Sequence, residues 1–115
     1  LTSTSEERMR EELLIDASIN DTIVKYAQNT RAAGLDGVVC SPLEAGMVHG
    51  ACGEEFLTVT PGVRFADGDV ADQVRVTTPA RAREIGSDLI VVGRPITAAE
   101  DPVAAYRRCV AEFVG

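Results

Sequence analysis

The sequence has few of the residues that metal-binding and nucleophilic chemistry usually require. It contains no tryptophan, three phenylalanines, two tyrosines, three cysteines and one histidine, His49. A single histidine excludes a histidine-rich metal site, and it allows a Ser-His-Asp triad only if His49 is the base. We expect His49 to lie at a helix end instead, and we predict no metal site.

The cysteines Cys40, Cys52 and Cys109 are odd in number and lack the spacing of metal ligands. We therefore interpret them as reduced thiols, two or more of which pack as small hydrophobic side chains. We therefore expect neither a disulfide framework nor a catalytic cysteine.

No long hydrophobic run is present, although 45% of the residues are hydrophobic. This pattern predicts a protein with a core and without a membrane span. The N-terminus lacks an initiator methionine and the basic and apolar regions of a signal peptide, so we expect a cytoplasmic protein whose chain begins within a longer one. We predict a single domain over residues 1–115.

Basic residues are outnumbered, with 11 lysines and arginines against 18 aspartates and glutamates and a net charge of −7. Such a charge repels nucleic acids and anionic membranes at long range, so we expect neither as a partner. A local anion site is still possible on an acidic protein.

One segment near the C-terminus has the composition of an anion site. Residues 89–92 form an apolar, mostly β-branched run, which predicts a strand buried on both faces. Gly93 then allows a ligand to approach the backbone, and Arg94 offers a planar fork of donors. Residues 96–99 could open a short helix whose free N–H groups favour an anion. We interpret the segment as a phosphate site; the alternative is a tight turn with a solvated arginine.

Helices and strands alternate along the chain. Besides residues 89–92, the predicted strands are a strand end at residues 1–3 and the segments 37–40 and 55–60, the last of which is followed by a loop at 63–76. The predicted helices are a turn capped by Thr4 or Ser5, a helix capped by Asn20 and Asp21 and ended by Gly34, a helix opened by the capping box of Ser41 and Glu44, a helix from 77 to 85 and a last helix capped by Asp101. Helices between strands imply right-handed crossovers and a parallel sheet, either doubly wound or part of a barrel.

The loops favour the barrel. No glycine-rich dinucleotide or P-loop motif occurs, whereas the long loop at residues 61–73 and the short helix after Gly93 match the last two strand-helix loops of a (β/α)8 barrel. We therefore predict an α/β fold that is the C-terminal half of a TIM barrel. Its inner face is predicted at Val38, Val39, Leu57, Val59, Ile90 and Val91.

Five segments together resemble the bacterial form of the orotidine 5′-phosphate decarboxylase family. They are LTST at residues 1–4, DGVVCSPLEA at 36–45, LTVTPGVR at 57–64, DQVR at 72–75 and VVGRPIT at 91–97. The resemblance runs from the first residue to the last. It implies a dimeric (β/α)8 barrel, of which this chain forms the end of the fifth strand through the eighth helix.

The resemblance also implies ligand contacts. Thr2 matches a hydroxyl residue that touches the pyrimidine edge, Arg64 matches a ligand-contacting arginine, and Gln73 matches a glutamine that spans base and phosphate. Gly93 and Arg94 match the phosphate site. The alternative is that Thr2 is an ordinary strand-end or capping residue and that Arg64 and Gln73 are ordinary polar loop residues.

The family's catalytic array of lysines and aspartates has no counterpart here, and the only lysine, Lys25, is expected on a solvated helix surface. The resemblance therefore implies an intact enzyme that converts orotidine 5′-phosphate (OMP) to uridine 5′-phosphate (UMP) without a cofactor. We expect no catalytic residue in this chain and no activity from it alone.

Three alternatives stay open: a non-catalytic phosphate-binding half-barrel, a sugar-phosphate decarboxylase of the same superfamily, and an assembly unit. In the last, the exposed inner face and strand edges drive pairing, either as a homodimer or with the missing N-terminal half. The loop at residues 61–73 is predicted to close as a lid over the phosphate.

Overall fold

The computed structural model describes residues 2–66 and 77–115. It contains six α-helices and three strands within these ranges, together with a single 3-10 turn at Pro42–Glu44. In chain order the elements are α1 (Glu6–Glu12), α2 (Ile19–Ala32), β1 (Gly37–Val39), α3 (Ala45–Cys52), β2 (Leu57–Thr60), α4 (Pro79–Glu84), β3 (Leu89–Ile90), α5 (Arg94–Thr97) and α6 (Pro102–Phe113). No helix in this described part of the chain is long and apolar enough to cross a membrane.

The three strands form one parallel sheet in the order β1-β2-β3, as the alternation of helices and strands predicts. Gly37 pairs with Leu57 at the start of β1. A Cβ at Gly37 would collide with the Leu57 carbonyl oxygen, so this close approach of the two strands requires glycine.

One face of the sheet is covered by helices. In-register residues share a face of a sheet, and on this one Thr58 and Thr60 are completely buried. The main core cluster lies between this face and the helices α2 and α3, and it consists of Ile23, Ala27, Cys40, Val48, Cys52 and Phe56. Burial of each larger apolar side chain contributes about 1.5–3 kcal/mol.

The opposite face is exposed. Val39 is 65% exposed, Leu89 is 51% exposed and Val91 is 50% exposed. The prediction that residues 89–92 are buried on both faces is therefore wrong, because helices cover only one face of this sheet. Leu57 also lies on the exposed face.

The predicted inner face needs a second correction. Val38 is in register with Thr58, and Ile90 is in register with Thr60, so both lie on the helix-covered face. The other four predicted positions share the exposed face, since side chains alternate along a strand. The apolar run alone could not show which residues of each strand face the helices.

Most helix starts follow the sequence signals. Ser5 accepts a hydrogen bond from the N–H of Arg8, and Ser41 and Glu44 form the reciprocal capping box. α2, however, begins earlier than predicted, because Ser18 and not Asn20 caps it; its hydroxyl accepts from the N–H of Asp21 at 3.1 Å. Ser18 has the extended backbone of an N-cap residue, whereas Asn20 and Asp21 are already within the helix and cannot cap it.

Smaller differences occur at the strand ends. Thr2 and Ser3 lie in a turn, so the prediction of a strand end at these residues is wrong. Within the described residues, no strand pairs with the outer side of β1, which is an edge strand of the sheet. All three cysteines are buried and free, as expected for packed thiols. Lys25 lies exposed on α2, which confirms its predicted place on a helix surface.

Candidate functional site

The candidate site is the edge of the sheet at which the three parallel strands end. Ser41 follows β1, the segment with Arg64 follows β2, and Gly93 and Arg94 follow β3. The pairing continues towards this edge, because the N–H of Val91 donates to the Thr60 carbonyl at 3.0 Å. In open and closed parallel sheets alike, this is the edge at which ligands bind.

Arg64 is fixed firmly at this edge. Its N–H donates to the Thr77 carbonyl at 3.0 Å, and the preceding Val63 forms a parallel bridge with the same threonine. The neighbours on both sides, Val63 and Phe65, are buried. Arg64 itself is half-buried, and its Nε is buried without a hydrogen-bond partner among the described residues. A guanidinium nitrogen in this state favours an anionic acceptor.

Arg94 differs from Arg64 in being exposed. It is the first residue of α5, with Gly93 as the residue before the helix. The prediction of a helix opening at residues 96–99 is wrong, because the N–H groups of Ile96 and Thr97 already donate to the Gly93 carbonyl at 2.9 and 3.0 Å. Since Pro95 has no N–H, and those of Ile96 and Thr97 are used within α5, the guanidinium of Arg94 is the side-chain group that this segment offers to an anion.

Thr2 lies beside the end of β1. It is exposed, and it lines a cavity of about 80 Å³ between α2 and β1. The other lining residues are Ile23, Tyr26, Ala27, Val38, Val39, Cys40 and Glu44. Burial, followed by the charges of Glu44 and Asp88, raises the pKa of the Cys40 thiol to about 11, so this cysteine stays protonated at neutral pH.

The structure thus brings four of the five predicted contact residues to one edge: Thr2, Arg64, Gly93 and Arg94. Gln73 lies outside the described residues, as does most of the predicted lid at residues 61–73. The roles of these residues stay predictions. Within residues 2–66 and 77–115, no group of three histidines, cysteines or acidic residues is arranged to hold a metal ion.

A second polar cluster, at the opposite edge, was not predicted from the sequence. The Asp88 carboxylate oxygen Oδ2 lies 2.7 Å from His49 Nε2, and it also accepts from the N–H and hydroxyl of Thr58 at 2.8 and 3.1 Å. The N–H of Asp88 donates in turn to the Thr58 hydroxyl at 3.2 Å. His49 lies in the last turn of α3, which confirms the prediction of a helix-end histidine.

This cluster holds Asp88 in its charged form. Burial favours the neutral acid, but hydrogen bonds from the Thr58 N–H, from His49 and from the Thr58 hydroxyl outweigh burial, so the pKa of Asp88 lies below its ordinary value. The sequence signal that could have revealed the cluster is the pair of threonines at alternate positions of an otherwise apolar strand. Thr60 likewise donates to Ser87 Oγ at 3.0 Å.

Comparison with known proteins agrees with the family resemblance found in the sequence. The sequence profile of the "Orotidine 5'-phosphate decarboxylase / HUMPS family" matches residues 1–109. The chain belongs to this family. An orotidine 5′-phosphate decarboxylase of Bacillus cereus strain AH187 is 53% identical over 115 residues, which are the whole of this chain and 48% of the relative. The chain therefore spans about half the length of the curated relatives it matches.

Solved structures of similar proteins share the fold. The orotidine 5′-phosphate decarboxylase of Lactobacillus acidophilus has a TM-score of 0.84 and 42% identity, covering 100% of this chain and 46% of that one. An uncharacterised conserved protein of Geobacillus kaustophilus has a TM-score of 0.79 and 40% identity, covering 98% of this chain and 45% of the other. The parallel sheet and its helices are thus half of a (β/α)8 barrel, as predicted.

Proposed function

We propose that the protein containing this chain is an orotidine 5′-phosphate decarboxylase, and that this half supplies the contacts to the phosphate and the pyrimidine. One observation carries the proposal: Arg64 and Arg94 follow neighbouring parallel strands, so the two residues lie at the same edge of the sheet. Two arginines at one edge suit a phosphate dianion, which accepts charge-assisted hydrogen bonds from each.

In this proposal the chain contributes binding and not chemistry. The bond between the pyrimidine ring and the carboxylate carbon breaks, carbon dioxide leaves, and the electron pair left on the ring carbon takes up a proton from a lysine elsewhere in the protein. Contacts to the distant phosphate lower the barrier if they are realised in the transition state. Thr2 would accept or donate one hydrogen bond at the pyrimidine edge. No cofactor takes part.

The test is carbon dioxide release by the full-length protein from three substrates. We expect turnover of OMP, a much lower kcat/KM for orotidine, which lacks the phosphate, and no turnover of a carboxylated sugar phosphate. Equal kcat/KM values for OMP and orotidine would contradict a role for the phosphate contacts. Turnover of the sugar phosphate alone would favour the sugar-phosphate decarboxylase.

A second candidate, an assembly unit, is supported by the exposed sheet face. Val39, Leu89 and Val91 form an apolar surface on that face, and a groove of about 210 Å³ between β3 and α6 is lined by further apolar side chains. These are Ile90, Val92, Ile96, Tyr106, Cys109, Val110, Phe113 and Val114. We propose that such surfaces pair with the remaining half of the barrel, and that the intact protein is a cytoplasmic homodimer.

The isolated 115-residue chain tests this candidate. Light scattering should show self-association, and adding the complementary half of a family member should replace it with a defined complex. Carbon dioxide release by the chain alone should stay at background, since Lys25 lies on an outer helix. A well-folded monomer would contradict the assembly role.

A further inference from the structure

We propose that Phe65 and Arg108 form a positioning pair that holds Arg64 for ligand binding. The inference rests on the proposed function, in which Arg64 contacts the nucleotide. It concerns two residues that do not touch the ligand, and that lie on different elements: Phe65 follows β2, and Arg108 is in α6.

The backbone around Arg64 is anchored on both sides of the residue. Phe65 is 8% exposed and Val63 is 2% exposed, so the residues on either side of Arg64 are held in the protein. The bridge from Val63 to Thr77 fixes one side of the arginine. On the other side of the arginine, the buried ring of Phe65 is the anchor.

The side chain of Arg108 holds the Phe65 ring in place. The central guanidinium carbon of Arg108 lies 4.1 Å from the centroid of the Phe65 ring, which is the geometry of a cation–π contact. The Arg108 Nε donates to Glu112 Oε2 at 2.8 Å, so a neighbour one turn along α6 orients the guanidinium. The aromatic ring is therefore covered by a guanidinium group that an ion pair orients.

One helix, α6, contacts the segments of both arginines of the site. α6 packs against α5, which begins with Arg94, and α6 also contacts the segment of Arg64 through Arg108. Cys109, the neighbour of Arg108, is buried and anchors the helix. α6 thus supports the two segments that carry the proposed phosphate contacts, although none of its residues was predicted to touch the ligand.

The experiment measures UMP affinity by calorimetry in the full-length protein. Phe65→Leu keeps an apolar side chain and removes the aromatic face, whereas Phe65→Tyr keeps that face. We expect Phe65→Leu to weaken binding roughly three- to tenfold, the fold-change of a partly exposed cation–π contact, and Phe65→Tyr to bind like the parent. Arg64→Ala should weaken binding more than Phe65→Leu does.

A double substitution separates positioning from general destabilisation. If Phe65 acts through Arg64, Phe65→Leu should weaken binding in the parent and leave it unchanged in the Arg64→Ala background. The same loss in both backgrounds, or no loss in the parent, would overturn the positioning role. Unchanged affinity in Arg64→Ala would instead overturn the proposed contact of Arg64 itself.

Arg108→Gln provides a second route if Phe65→Leu does not fold. It removes the cation while the phenylalanine stays, and it should weaken UMP binding to a similar extent, whereas Arg108→Lys should restore part of the affinity. Equal affinities for the glutamine variant and the parent would overturn the proposal.

Discussion

The two edges of the sheet treat their polar groups in opposite ways. At the edge where the strands begin, His49, Thr58 and Asp88 satisfy one another through hydrogen bonds of 2.7 to 3.2 Å. At the edge where the strands end, the Nε of Arg64 is buried without a partner among the described residues, and Arg94 is exposed. The same sheet therefore has one edge whose polar groups are paired within the protein and one at which two arginines have no such pairing among the described residues.

We propose that the two edges have separate roles, one in stability and one in ligand binding. Buried polar groups that pair with one another stabilise the fold, whereas a buried donor without an acceptor costs stability, as expected of a group that a ligand would complete. This division agrees with barrel architecture, in which the ends of the strands hold the active site and their beginnings contribute stability.

The largest effect is expected from Asp88→Ala. It removes the common acceptor of His49 and Thr58 and should lower the free energy of unfolding by about 2–3 kcal/mol, the cost of leaving buried donors unsatisfied. Urea unfolding of the full-length protein measures it. Asp16→Ala is the matched control, because the Asp16 side chain is 94% exposed, and a similar small loss in both variants would contradict the prediction.

Arg94→Ala should have a comparable effect on binding at the other edge. Loss of a hydrogen bond to a charged group should weaken UMP binding by about 1.5–3 kcal/mol, with little change in stability. Calorimetry measures the affinity. Arg81→Ala removes another exposed arginine, one that pairs with Glu84 on α4, and it should leave the affinity unchanged.

The pH dependence of stability sharpens the comparison further. Because the pKa of Asp88 is lower in the folded protein, the unfolded chain takes up the proton first as the pH falls. The contribution of Asp88 is thus complete above the ordinary aspartate pKa of about 3.9 and is lost below it. Between about pH 5 and pH 2, the free energy of unfolding should fall less steeply with decreasing pH for Asp88→Asn than for the parent. Parallel curves would contradict this.

The smallest effect is expected from Ser41→Ala. This variant tests whether a residue that lies at the ligand edge, but is already hydrogen-bonded within the protein, contributes to ligand binding. Ser41 lies at the ligand edge, yet its hydroxyl and N–H are both used in the capping box with Leu43 and Glu44. We expect a loss of about 1 kcal/mol in stability, typical of a cap, and no change in UMP affinity. A loss of affinity without a loss of stability would show that Ser41 belongs to the ligand site.

The sequence predicted best the features that depend on neighbouring residues. The structure confirms the capping box at Ser41 and the end of α2 before Gly34. Both were predictable because they depend on the chemistry of neighbouring residues. The cluster at Asp88 was missed, because its partners are 30 and 39 residues away in the chain. Periodicity in the short run at residues 89–92 could not distinguish its covered face from its exposed face.

Prediction of the ligand edge was similarly divided. The composition of its segment predicted Arg94 as a ligand contact, the family resemblance added Arg64, and parallel pairing of β2 and β3 brings their segments to one edge. The contact between Phe65 and Arg108 was not predicted, because it joins residues 43 positions apart through a ring and a cation that leave no local pattern.

The most direct test of the division between the edges measures both UMP affinity and unfolding free energy for Asp88→Ala and Arg94→Ala in the full-length protein. We predict that Asp88→Ala loses stability and, under conditions in which it is folded, binds UMP like the parent, whereas Arg94→Ala loses affinity and keeps its stability. If both variants lost stability and affinity in the same proportion, the two edges would not have separate roles, and the account would be contradicted.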